Sequence, residues 1–227
     1  IRGSAFLAGT GGIHFKKRAS VTPFFVKKKE WRQRLILDCR ESNMHFRRPP
    51  PQDMGSAECI QQILLAGDEC LYAALGDVQN CFYQVGMPKW LSHFFCLPAL
   101  CGATAVEMGA THTLEGSAIT PRCDLFPCML ALPMGFTWSF FVVQRMHESL
   151  LEACDFKTDR RLVTGWPAPD VGKEPLTMPY CDNLTILGKE KSAVSKAFAQ
   201  VVSRFEESGF ALHELEGASS TADILGG

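Results

Sequence analysis

Two acids carry the chemistry this chain could do. Asp77 closes the apolar run of LYAALGDVQNCFYQV, and Asp182 sits in Tyr180-Cys181-Asp182-Asn183, between two short apolar runs. A carboxylate at the end of one strand and another at a tight turn can converge on a pair of divalent cations. Metal-assisted phosphoryl transfer requires that arrangement. Taken singly, each acid has an ordinary role, Asp77 as a strand-end residue and Asp182 as a turn residue.

The elements that must position them can be read from periodicity and turn chemistry. Residues 71–78 form an apolar run short enough for a buried strand. LTMPYC and LTILG, joined by Asp182-Asn183, have the pattern of a β-hairpin. Upstream, FFV and RLILD (24–26 and 34–38) flank a charged turn and predict a second hairpin. Ser56 is placed to cap a helix running to about Ala66, with Gly67 beyond its end. After a loop at Pro133 and Gly135, a helix is expected from Phe136 to about Ala153, with Phe140, Val143, His147, Leu150 and Leu151 on one face. Ser192 opens an amphipathic helix through Val194, Phe198, Val201, Val202 and Phe205, ended by Gly209. Strands and helices mix without strict alternation, so the expected class is α+β with an antiparallel sheet. Residues 101–131 lack periodicity and read as an irregular insertion.

Composition bounds the class. At 227 residues and 46% apolar content the chain can bury a core. No apolar run approaches the ~20 residues that span a bilayer. Charge is divided unevenly: residues 1–50 hold 12 Lys and Arg against 3 Asp and Glu, and the remainder 11 against 21. A basic first quarter joined to an acidic body suits grip on phosphates by one part and on metal ions by the other. Ten cysteines without a secretory signal read as reduced thiols of an intracellular protein, nuclear or cytoplasmic and not secreted. Cys96/Cys101 and Cys123/Cys128, with His112 between them, invite a zinc reading. Their apolar neighbours favour packing instead.

Five collinear blocks resemble the fingers and palm of the reverse transcriptases: KKKEWRQRLILDCRESN (27–43), GDVQNCFYQV (76–85), LPMGFTWS (132–139) with its following helix, YCDN (180–183), and the helix ending in SGFALH (208–213), followed by Ile224-Leu225-Gly226. The resemblance implies a right-hand polymerase with an antiparallel palm sheet and helices packed on one of its faces. It implies fingers over 1–70, a metal-binding palm strand over 71–88, further fingers or insertion over 89–131, and palm over 132–227 without a thumb. It also implies an RNA-directed DNA polymerase of a retrotransposon or other retroelement that transfers a deoxynucleotide onto a primer 3′-hydroxyl with two Mg²⁺ or Mn²⁺ ions. Asp77 and Asp182 would be catalytic with Asn183 beside them, and Asp77, Asp182 and the Val78 carbonyl would hold metal. Lys28 or Lys29, with Arg34, would meet the triphosphate. Phe82 would exclude a ribose hydroxyl by its bulk, and Gly135 would admit the nucleotide closely. Asp38, Arg40 and Asn43 match a bracing pattern.

The partners so implied are an RNA or DNA template-primer, a deoxynucleoside triphosphate and the remainder of a polyprotein (thumb, ribonuclease H or endonuclease), with no membrane. Three positions depart from the family pattern. Asn183 replaces the second acid of an Asp-Asp pair, Met134 stands where Gln is usual, and the Lys expected after SGFAL is absent, with His213 nearby as a lone surface histidine. Two rival readings follow. One is a degenerate or domesticated nucleic-acid-binding module; the other, prompted by the Asp-Asn turn of negative-strand RNA virus polymerases, is an RNA-dependent RNA polymerase.

Overall fold

Every ladder between strands is antiparallel in the computed structural model, which describes residues 11–27, 33–172, 174–222 and 224. The chain divides into two units, Ile1–Pro49 with Phe82–Ser139 and Pro50–Cys81 with Phe140–Gly227. Elements are numbered along the chain.

In the first unit, β1 (Gly11–His14), β6 (Asp124–Met129) and β5 (Leu100–Cys101) make a sheet in the order β1-β6-β5. Ile13, Ala105 and Leu125 form its core, with Leu100 and Ile119 packed against them. The segment 101–131 is therefore not an irregular insertion. It holds α5 (Gly102–Glu107) and contributes a strand that pairs with both neighbours. Periodicity missed it because the pairing partners of β6 lie far away in sequence. The hairpin of β2 (Thr22–Lys27) and β3 (Gln33–Asp38) forms in the register Thr22↔Asp38 to Lys27↔Gln33. Two short helices, α1 (Arg40–Asn43) and α4 (Lys89–Ser92), belong to the same unit.

In the second unit, β7 (Leu176–Thr177), β8 (Asn183–Gly188), β4 (Tyr72–Val78) and β9 (Leu212–Ser219) make a sheet in the order β7-β8-β4-β9. Helix α7 (Lys191–Glu207) packs on β4, β8 and β9. Its buried Val194, Ala197, Phe198, Val201 and Phe205 recur at helical spacing, and Gly209 follows its end with φ +88°. A second cluster around Leu162, Leu176, Met178 and Leu187 packs with Ala73 and Leu75 of β4.

Helix α2 spans only Ala57–Gln61, shorter than the run to Ala66 that its cap suggests. A short helix is marginal without a packed face, and Leu64 beyond it is 88% exposed. Helix α6 (Thr137–Glu152) buries Val143 and Leu151 as expected, but Gln144, His147 and Glu148 are buried on the same face. No helix among the described residues is long and apolar enough to cross a membrane.

Candidate functional site

The strand β4 carries Asp77 to the edge of a hairpin turn. Across the β4–β8 pair Asp77 faces Asn183, and the Val78 N–H donates to the carbonyl oxygen of Asp182 at 2.9 Å. The sheet thus brings together Asp77, Val78, Asp182 and Asn183, which are separated by about a hundred residues in sequence.

The turn differs by one residue from the expected one. Tyr180 and Asn183 exchange backbone hydrogen bonds at 3.3 and 2.9 Å, so the two central residues are Cys181 and Asp182 and Asn183 opens β8. Cys181 has φ +54°, the sign that hairpin turns need at their first central position. A non-glycine residue holds that conformation only where its surroundings impose it, at about 1–3 kcal/mol. The surroundings here come from α6. Gln144 Oε1 accepts from the Cys181 N–H at 2.8 Å, Gln144 Nε2 donates to the Pro179 carbonyl at 3.1 Å, and His147 Nδ1 donates to the Cys181 carbonyl at 2.9 Å. Gln144 Nε2 also reaches Glu148 Oε1 at 3.0 Å, and Glu148 meets the buried Arg161. Sequence reading put His147 on the apolar face and gave Gln144 no role; only the i, i+3 spacing of two polar residues on that face hinted at a shared target.

Burial, then the charge of Asp182, raises the Asp77 carboxyl from 3.8 to about 6; His213 and the Val78 N–H act in the other direction. Asp77 Oδ1 is buried without a hydrogen-bond partner, while Oδ2 lies 3.3 Å from His213 Nδ1, close enough to attract but not aligned as a hydrogen bond. His213 is therefore not a lone surface residue. A register shift in the β4–β9 pair makes Asp77 face His213 and Leu75 face Glu216, and Glu214 takes φ +51° within the bulge. Bulges re-aim side chains in this way. Ligand atoms of Asp77, His213 and Glu214 lie within 4.8 Å of one another. A recess of about 110 Å³ beside them is lined by Asp77, Asn183, Glu214 and Glu216.

Asp77, whose carboxyl is raised in part by the charge of Asp182 and whose Oδ1 is buried and orphaned, fits a divalent cation beside that second acid. Positive charge would satisfy Oδ1 and offset the repulsion, and carboxylate oxygens suit a hard ion such as Mg²⁺ or Mn²⁺. The Asn183 amide donates weakly to the Tyr180 carbonyl (3.4 Å) and to Asp182 Oδ1 (3.5 Å), so it ties the turn without adding charge.

The other expected site residues belong to the first unit. Lys28 and Lys29 lie outside the described residues, as does the side chain of Arg34, whose backbone is in β3. Phe82 is half-buried, in α3 (Cys81–Gln84). Gly135 has φ +119°, and a Cβ there would collide with the Leu37 carbonyl oxygen, so its own chain already makes a close approach that only glycine permits. Asn43 braces this loop, donating to the Gly135 carbonyl at 3.0 Å and accepting from the Thr137 N–H at 3.1 Å. Asp38 and Arg40 form an exposed bidentate pair with each other. Of the cysteines, Cys96 and Cys128 are buried and paired only through an isolated antiparallel backbone bridge, whereas Cys101 is exposed, and all ten thiols are free.

No family model and no curated protein matches the chain. Solved structures of similar fold do. The structure of the foamy viral protease-reverse transcriptase dRH in complex with ds DNA aligns with TM-score 0.63 at 16% identity, over 94% of this chain and 30% of that one. The native protease-reverse transcriptase of prototype foamy virus aligns with TM-score 0.60 at 16% identity, over 92% of this chain and 22% of that one. The chain thus spans under a third of the length of either. The fold is reverse-transcriptase-like: mixed helix and antiparallel sheet.

Proposed function

We propose that the chain is the catalytic part of an RNA-directed DNA polymerase from a retroelement, acting by two-metal nucleotidyl transfer with Mg²⁺ or Mn²⁺. One observation carries the reading: Asp77 and Asp182 are joined through the Val78–Asp182 backbone hydrogen bond, and their charges oppose each other around an unsatisfied buried oxygen. The reverse-transcriptase-like fold and the five sequence blocks support it.

In this reading Asp77 and Asp182 hold the cations, with the Val78 carbonyl completing one site. When bound, the ions supply Lewis acidity toward the primer hydroxyl and the triphosphate. Gln144 and His147 keep the Asp182 turn rigid, so its carboxylate need not reorganise during transfer. Lys28, Lys29, Arg34, Phe82 and Gly135 are assigned to the nucleotide on the sequence resemblance, and Phe82 makes it a deoxynucleotide. The division into fingers over 1–70 and 89–131 and palm over 71–88 and 132–227 belongs to the same proposal.

Primer extension on RNA and DNA templates with deoxynucleotides and Mg²⁺ or Mn²⁺ tests it. Extension is expected from the parent chain and should vanish in Asp77→Ala and in Asp182→Ala. Undiminished extension by either variant refutes the assignment. The uncharged Asn183 favours a second reading, a module that binds nucleic acid without catalysis. If Asn183→Asp gains extension, the chain is an attenuated polymerase; if both forms bind template-primer but neither extends it, the binding module stands.

A further inference from the structure

Away from the paired acids, the first unit gathers His14, His93 and Glu115, whose ligand atoms lie within 4.8 Å of one another. They come from three separate segments. His14 ends β1, His93 follows α4, and Glu115 sits in a loop that Leu114 ties to β1 through its N–H to the Ile13 carbonyl at 2.9 Å. The His93 carbonyl is held in turn by the Arg18 N–H at 2.8 Å.

The hydrogen bonds behind the two rings fix where their lone pairs point. The Ser92 hydroxyl lies 2.6 Å from the Lys89 carbonyl and 2.8 Å from His14 Nε2, so it can donate to the carbonyl while accepting from the ring. That leaves His14 Nδ1 facing Glu115 Oε1 at 2.5 Å. His93 Nδ1 lies 3.1 Å from the Lys16 carbonyl, which can only accept, so His93 Nε2 turns its lone pair toward Glu115 Oε1 at 3.5 Å. His14 Nδ1, His93 Nε2 and Glu115 Oε1 thus lie together, and an ion would replace the hydrogen bond between the first and the last. Each histidine has an oxygen behind its other ring nitrogen that can accept its N–H, the support that metal-ligating histidines characteristically have.

We propose that His14, His93 and Glu115 form a site for a borderline divalent ion of the zinc type, with a fourth position open to water. Two imidazole nitrogens and one carboxylate make the donor set of that class. The rings are stacked 3.7 Å apart with planes 19° from parallel, which disfavours charging both; the partly exposed His93 ring turns out of the stack to bring its lone pair to the ion. His14 is only 1% exposed, whereas His93 and Glu115 are 30% and 47% exposed, so the ion has a route in from the Glu115 side. In the ion-free chain the single proton of the neutral His14 ring can bond Glu115 from Nδ1; with the ion bound that proton sits on Nε2, toward Ser92. The buried Cys96 and Cys128 thiols, pushed up to about 12 and about 11 chiefly by burial, stay protonated and outside the donor set.

The test uses the full chain carrying Asp77→Asn and Asp182→Asn, so that ions at the paired acids do not contribute. Co²⁺ is titrated by absorption and Zn²⁺ by competition. One Co²⁺ per chain is expected, with visible ligand-field bands and no thiolate charge-transfer band. Glu115→Gln and His93→Gln, both at partly exposed positions, should each weaken binding at least about tenfold while the circular dichroism is unchanged. Absence of saturable binding, a thiolate band, or an unaltered affinity in Glu115→Gln overturns the proposal.

Discussion

His147 donates its Nδ1 proton to the carbonyl oxygen of Cys181 across 2.9 Å, from a position 1% exposed to solvent. The residue it holds has left-handed backbone and precedes Asp182, so one buried imidazole fixes the turn that presents a candidate metal ligand. Burial, opposed by this hydrogen bond and aided by Arg161, pushes His147 down from 6.5 to about 4. The ring is neutral at physiological pH.

His147→Gln should therefore destabilise the chain by about 1–3 kcal/mol, since the Cys181 carbonyl loses a buried partner. Urea unfolding at neutral pH measures it. In the parent chain the neutral ring contributes stability in full above pH 6.5, and that contribution is lost as pH falls toward 4, because the unfolded chain then binds the extra proton. The variant should lack this component.

Asp77 acts with the opposite sign. Its folded pKa of about 6 lies above the ordinary 3.8, so the folded chain holds the proton more tightly and stability falls as pH rises between those values. Asp77→Asn should remove the fall and be more stable than the parent at pH 7, by about 2–3 kcal/mol. The two components overlap in pH and partly cancel. Unfolding curves from pH 4 to pH 7 for the two variants separate them, and identical slopes would contradict both assignments.

Mg²⁺ or Mn²⁺ should raise the melting temperature of the parent chain at pH 7, because an ion that binds only the folded state stabilises it by mass action. Asp77→Asn and Asp182→Asn should abolish the increase. Calorimetry with and without chelator reads this independently of any polymerase activity.

Gly135→Ala should cost about 2–5 kcal/mol, combining backbone strain with forced displacement. Both arise at one atom: φ is +119° and the added methyl meets the Leu37 carbonyl. Denaturant midpoints compare the variant with Gly109→Ala, which also has positive φ (+89°) but open space around it. A larger loss at Gly135 isolates the steric part.

Glu148→Ala should destabilise by about 3 kcal/mol, since it leaves Arg161 buried with fewer countercharges. Arg161 keeps Glu152 at 2.8 Å but loses Glu148 at 3.5 Å, and Gln144 loses its 3.0 Å contact to Glu148. Thermal unfolding measures the first effect. A weaker Mg²⁺-dependent rise in melting temperature would register the second, through the turn that Gln144 holds.

Much of the fold was legible because its signals are local. The strand around Asp77 shows as a short apolar run, the β2–β3 hairpin as two runs flanking a charged turn, and the helix from Lys191 to Glu207 as apolar residues at helical spacing. The Asp182 turn was read one residue late because left-handed backbone at Cys181 is imposed by Gln144 and His147 more than thirty residues away. The helix after Ser56 was read too long, since a cap marks where a helix starts but packing decides how far it continues.

Residue type and order by themselves determined which acids are candidates for metal chemistry and which strand and turn carry them. Only the tertiary structure decided what stands beside them. A bulge in β9 sets His213 against Asp77, α6 sends two polar side chains to the Cys181 turn, and Glu115 meets His14 from a position 101 residues away. Periodicity records how each segment turns its faces, but the energy of such contacts depends on distances that exist only after remote segments have packed.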